Sequence, residues 1–176
     1  MNIRDINNHF GDMDLFLMDL ILKGKVPEKG RVLDIGCGEG RNGLYFIRNG
    51  YEYHGWDTDR SKISLLEYLV NSLTEINAFF EVMDLRSSSK EGLFDLIICS
   101  RMLHFAESEV DFKEMWSKLI RLLATGGKIY VAMDSTIDTS INTQIDGGKV
   151  VFPDGKMRFA LTTNLYKEIK KGLEEI

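Results

Sequence analysis

The 176-residue sequence has two cysteines, no cluster of basic residues and no apolar run long enough to cross a membrane. Each shortage removes a class of protein. Cys37 and Cys99 both lie in apolar, strand-like text and read as reduced thiols of a cytoplasmic protein rather than as a disulfide framework. The opening residues Met1-Asn2-Ile3-Arg4-Asp5 are too polar for an export signal. A net charge of −5 without a basic run leaves no electrostatic footprint for nucleic acid, and none is expected as a partner. No membrane association is expected either.

What is present is ordinary globular text, 44% hydrophobic and 28% charged, of a length that suits one domain. Residues 1–29 read as an N-terminal helical segment. After Asp12, the residues Met13, Phe16, Leu17, Leu20 and Ile21 recur at helical spacing, and Gly24 and Pro27 end the pattern. Residues 30–134 then alternate strands and helices. Arg31–Ile35, Tyr51–Trp56, Ala78–Met83, Phe94–Cys99 and Lys128–Met133 read as strands. The helices between them run over 40–49, closed by Gly50; from a Ser61 cap with Leu66, Leu69, Val70 and Leu73 inward; and from a Ser108/Asp111 capping box to Gly126-Gly127. Such alternation predicts a Rossmann-like three-layer α/β/α fold with a doubly wound parallel sheet. Residues 135–176 change character. Ser135–Ile145 reads as loop, a β-hairpin turns at Pro153-Asp154-Gly155, and a last helix capped by Thr163 turns Leu165, Ile169 and Leu173 inward.

The text that carries chemistry is Val32-Leu33-Asp34-Ile35-Gly36-Cys37-Gly38-Glu39-Gly40, between the first strand and its helix. Glycines there let the backbone approach a ligand, and the helix that follows offers free N–H groups. Two details narrow the ligand. A dinucleotide fingerprint, G-x-G-x-x-G, needs glycine where Arg41 stands, and a side chain there would crowd the close strand–helix packing. Asp34, two residues before the first glycine, is a poor neighbour for a pyrophosphate. A ligand carrying a positive amino group and a sulfonium suits it better.

The pattern D-x-G-x-G-x-G after the first strand resembles the signature of class I S-adenosylmethionine-dependent methyltransferases. Over residues 36–57, Gly36-Cys37-Gly38-Glu39-Gly40-Arg41-Asn42, Gly50-Tyr51 and Trp56-Asp57 look especially like the tellurite-resistance type. The general likeness spans about residues 30–134. It implies S-adenosylmethionine as cofactor and S-adenosylhomocysteine as product, held by Asp34, Gly36, Cys37, Gly38, Gly40, Arg41, Asp57, Asp84, Leu85, Ser100 and Met102. Asp57 would accept from the ribose hydroxyls, Asp84 from the adenine amine, and the Leu85 backbone N–H would face the ring. Ser100 and Met102 would border the methionine moiety. The blander readings stand beside these: Asp57 and Asp84 also suit turns or helix caps. His104 reads either as a packing histidine or as the general base, and Arg101 either as a surface residue or as a substrate contact. No metal site is expected.

The chemistry expected is methyl transfer to a small-molecule acceptor, with a non-catalytic S-adenosylmethionine-binding regulatory module and a nucleotide-dependent oxidoreductase as the alternatives. The proline motif that serves exocyclic amines in this class is missing, since Ser100-Arg101-Met102-Leu103 stands in its place. The class also ends in antiparallel sixth and seventh strands, for which no text follows the last helix. The expected sheet therefore has five strands in the order 3-2-1-4-5, with the fifth as an edge. Such an edge invites self-association, and it reads as belonging to a truncated chain or as awaiting a partner.

Overall fold

The computed structural model describes residues 3–72, 77–136 and 147–174. Five parallel strands form the main sheet: β1 (Arg31–Ile35), β2 (Glu52–Asp57), β3 (Ala78–Val82), β4 (Phe94–Ser100) and β5 (Leu123–Ala132). Their spatial order is β3-β2-β1-β4-β5, as expected. Strand order reverses between β1 and β4, both of which pair with their neighbours in parallel. A crevice therefore opens beyond the carboxyl ends of these strands, the place where open α/β sheets bind ligands. A second, two-stranded antiparallel sheet, β6 (Lys149–Val151) and β7 (Met157–Phe159), is the expected hairpin.

Alternation along the strands sends side chains to two separate cores. On one face Val32, Tyr53, Leu96, Ile98 and Tyr130 pack against α1 (Ile3–Phe10), α2 (Leu15–Leu22), α3 (Gly43–Arg48) and α4 (Arg60–Val70). On the other face Leu33, Ile35, Trp56, Phe94, Ile97 and Cys99 pack against α5 (Glu109–Leu122) and α6 (Thr163–Glu174). In α5 the buried residues Phe112, Met115, Leu119 and Leu122 recur three and four apart, which is why this segment is a helix with one dry stripe. Both cysteines are buried free thiols, and burial pushes the Cys99 thiol up to about 12. No described helix is long and apolar enough to cross a membrane.

Several local expectations shift. The cap of α4 is Asp59, whose carboxylate accepts from Ser61 N–H, rather than Ser61 itself. At α6 the Thr162 hydroxyl accepts from Leu165 N–H, so the cap precedes Thr163. Ser108 does cap α5, but the Asp111 carboxylate accepts from Glu107 N–H instead of closing the reciprocal box. Gly126 and Gly127 do not end α5. The helix stops at Leu122, and both glycines lie within β5, which shifts register against β4 between Phe94 and Leu96. Phe16, Leu69 and Leu173 are exposed rather than inward, and Leu73 and the loop over 137–146 lie outside the described residues.

The hairpin sits at the carboxyl end of the sheet. β7 packs against the 3-10 turn Leu103–Phe105 that follows β4, and Phe159 stacks on Phe112 with ring centroids 5.0 Å apart. Past the end of β5, Ser135 bridges to Leu161 in parallel.

The contact between α3 and β2 is close because Gly43 has no side chain. A methyl group there would run into the Tyr53 phenol. Overpacking of this kind costs about 1–3 kcal/mol. Gly43→Ala should lower stability by that amount in urea or guanidinium denaturation, with an unchanged slope.

Candidate functional site

The site begins with the turn between β1 and α3. Gly36, Gly38 and Gly40 have φ of +74°, +55° and +84°. Side chains strongly disfavour that backbone region, so the alternating glycines are what allow the turn. At Gly36 a Cβ would also approach Met102 Cγ to 3.3 Å. The end of β2 fastens the turn from beneath. Gly36 N–H and Cys37 N–H both donate to the Trp56 carbonyl, at 2.7 and 3.0 Å. Gly38 N–H donates to Asp57 Oδ2 at 2.9 Å. Asp57 Oδ1 accepts from Asp59 N–H at 2.9 Å. Asp57 thus does more than a free strand-end acid would, since it also braces the turn.

Above the turn lies a cavity of about 580 Å³ at the carboxyl ends of β1 to β4. Its walls bring together Gly36, Gly38, Asp57, Asp84, Leu85, Ser100, Arg101 and Met102, all named from the sequence. Thr58, Lys62, Met83, Arg86 and Phe105 join them without having been anticipated. A second cavity of about 380 Å³ shares Gly36, Gly38, Lys62 and Ser100 with the first and adds Cys37, Arg41, Asn42 and Asp12. Arg41 does not crowd the strand–helix contact. Because α3 starts at Gly43, the Arg41 side chain is free to turn out toward Asp14, 3.9 Å away.

Gly40 lies on neither cavity wall. Its part is steric, because a Cβ there would collide with Leu66.

Asp84 combines both readings offered for it. One carboxylate oxygen caps the 3-10 turn Leu85–Ser87 by accepting from Arg86 N–H at 2.8 Å, while the side chain still lines the cavity. Arg86 is clamped by Asp111 through two hydrogen bonds of 3.0 and 2.7 Å and so presents a fixed wall.

Asp34 is placed differently from expectation. It is 2% exposed, accepts from the Tyr53 hydroxyl at 3.0 Å, and lines neither cavity. Burial raises its carboxyl to about 7, against the lowering effect of Tyr53 and Arg41. His104 also lies off the cavity wall. Its ring packs on Phe105, its Nδ1 is buried without a partner, and burial lowers its pKa. Arg101 is on the wall, with φ +56° fixed by a 2.7 Å bond from its N–H to the Ala132 carbonyl. Among the described residues no group of three or more His, Cys, Asp or Glu side chains could hold a metal ion.

This donor set fits a nucleoside carrying a cationic tail. Each oxygen of Asp57 keeps a lone pair for a diol, and Met83, Leu85, Met102 and Phe105 form an apolar wall for a base. Asp57, Asp59 and Asp84 share this wall with Lys62, Arg86 and Arg101, so acidic and basic groups line it together. A family model described as a methyltransferase domain matches residues 32–127, more than half of the chain. The chain belongs to that family. Its cofactor is S-adenosylmethionine.

Among its relatives is YqeM of Bacillus subtilis (strain 168), provisionally named a methyltransferase. It is 30% identical over 108 residues, covering 60% of this chain and 43% of YqeM. A 2-heptyl-1-hydroxyquinolin-4(1H)-one methyltransferase of Mycobacteroides abscessus is 30% identical over 118 residues, covering 66% of this chain and 50% of that protein. The crystal structure of TehB from Haemophilus influenzae superposes with a TM-score of 0.67 at 22% identity, covering 88% of this chain and 49% of TehB. The chain thus spans half or less of the length of these curated relatives.

Two expectations follow for this methyltransferase domain. Asp57→Ala should weaken S-adenosylhomocysteine binding by about 1.5–3 kcal/mol, the scale of lost charge-assisted hydrogen bonds. Titration calorimetry measures this directly, and faster amide exchange at Gly38 should accompany it. The second concerns pH. A carboxyl raised from 3.8 to about 7 by folding favours the folded state while protonated, and this contribution is lost as pH climbs through that interval. The melting temperature of the ligand-free protein relative to Asp34→Asn should therefore fall between about pH 4 and pH 7 and level off above that.

Proposed function

We propose that this domain transfers a methyl group from S-adenosylmethionine to a small-molecule nucleophile. The observation that carries the reading is the single cavity in which the glycine turn, Asp57, Asp84, Leu85, Ser100 and Met102 meet. When bound, S-adenosylmethionine supplies an electrophilic methyl group on a positively charged sulfur. The residues supply position. Asp57 would hold the ribose hydroxyls, Asp84 the adenine amine and the Leu85 N–H the ring, while Gly36 and Gly38 let the backbone close on the methionine end. Asp34 would act from beneath the turn, its buried carboxylate favouring a cationic amino group above.

The leaving sulfur becomes neutral and needs no acid, so alignment of the acceptor is the main task. Alignment of this kind can lower a barrier by about 7 kcal/mol or more. His104 is kept neutral by burial and is able to take a proton, but its place off the wall favours orientation over base catalysis. A small acceptor is supported by the absence of any basic surface run, by the two adjoining cavities of about 580 and 380 Å³, and by the quinolone named in the mycobacterial relative. A single domain over residues 1–176, with segment boundaries at 29/30 and 134/135, belongs to the same proposal: core for the cofactor, flanking segments for the acceptor.

Titration should give micromolar-range binding of S-adenosylhomocysteine and none of NAD. Turnover against thiol, amine, metalloid and carboxylate acceptors should then find a substrate. Preferential NAD binding would refute the cofactor reading. Cofactor binding with no turnover across the panel would favour the regulatory module.

A further inference from the structure

The carboxylate of Asp14 has more partners than its local role requires. It caps α2 by accepting from Phe16 N–H at 3.1 Å, and one such bond satisfies a helix start. The same carboxylate also accepts from the Tyr130 hydroxyl of β5 at 2.7 Å and from the Ser100 hydroxyl at the end of β4 at 3.2 Å. Arg41 Nη2 stands 3.9 Å away. One residue's backbone completes the junction, since Asp14 N–H donates to the Oδ1 of Asn42, a buried residue just before α3. The side chain is 11% exposed.

These partners are elements of the site. Ser100 lines both cavities, and Arg41 and Asn42 line the second. Asp12, two residues before Asp14, is on the rim of that second cavity, so the chain between α1 and α2 forms part of its wall. We propose that Asp14 is a positioning residue that seats the N-terminal helices against the cofactor site, so that their closure and cofactor binding favour each other. The inference rests on the cavity being the S-adenosylmethionine site. Burial would raise the Asp14 carboxyl, but Tyr130, Phe16 N–H, Ser100 and Arg41 together hold it below its ordinary value, so the junction is anionic at neutral pH.

A merely structural cap and a positioning residue respond differently to Asp14→Asn. The amide retains an acceptor for Phe16 N–H, but its NH₂ group cannot accept from Ser100 and does not attract Arg41. The test compares wild type, Asp14→Asn and Tyr130→Phe by melting temperature, by calorimetric titration with S-adenosylhomocysteine, and by hydrogen exchange over residues 13–22. Wild type should bind, with exchange in that segment slowed by the ligand. Asp14→Asn should melt within a few degrees of wild type yet bind at least fivefold more weakly, without the added protection. Tyr130→Phe should shift in the same direction by less. Binding by Asp14→Asn within twofold of wild type would overturn the proposal. So would affinity losses seen only in variants that also lose thermal stability, or wild-type exchange unaffected by ligand. Failure of wild type to bind at all would instead remove the cofactor reading, and the coupling with it.

Discussion

The site depends on the way β2 grips the glycine turn. Three N–H groups of the turn, from Gly36, Cys37 and Gly38, find acceptors on the last two residues of β2, the Trp56 carbonyl and the Asp57 carboxylate. Without those acceptors a glycine-rich segment would have many conformations open to it, and ordering it on ligand binding would cost entropy. With them the turn is organised before any ligand arrives. β2 is itself fixed on both edges by parallel pairing with β1 and β3, so the grip is anchored in the sheet. Trp56, buried in one core, and Tyr53, buried in the other, lock the strand from both faces.

The division of side chains between the two cores accounts for the odd chemistry of Asp34. It follows the alternation of Val32 toward the helical layer that holds Tyr53, so its carboxylate is drawn inward beneath the turn. Sequence spacing alone suggests a carboxylate at the mouth. The pleat of the strand decides otherwise, and the group becomes a buried acid with a single hydroxyl donor. Desolvation then outweighs that one hydrogen bond.

Features encoded over a few residues were legible before the structure. The D-x-G-x-G-x-G turn, the strand-end acids Asp57 and Asp84, the sheet order and the hairpin at Pro153-Asp154-Gly155 all depend on local pattern or on topological rules. What escaped depends on partners far along the chain. Asp14 reads as one acid before a helix, and nothing near it announces Tyr130, 116 residues away. Lys62, Arg86 and Phe105 occupy ordinary helix and turn positions and reach the cavity only because strands gather their ends. Caps were missed by one or two residues because Asp59 and Ser61, or Thr162 and Thr163, are chemically competent neighbours. Gly126-Gly127 looked like a helix stop, but edge-strand pairing with β4 claimed it.

Among the described residues Arg101 alone has a positive φ without being glycine. A left-handed L-residue gives up about 1–2 kcal/mol, a sizeable fraction of the margin by which a domain of this size stays folded. Glycine would occupy the position without that strain. Keeping an arginine there therefore fixes a long, cationic side chain at the rim of the cavity at the expense of thermal robustness. Replacement by glycine offers a route to a hardier scaffold with a wider, less charged entrance, a natural starting point for directing this domain toward unfamiliar acceptors.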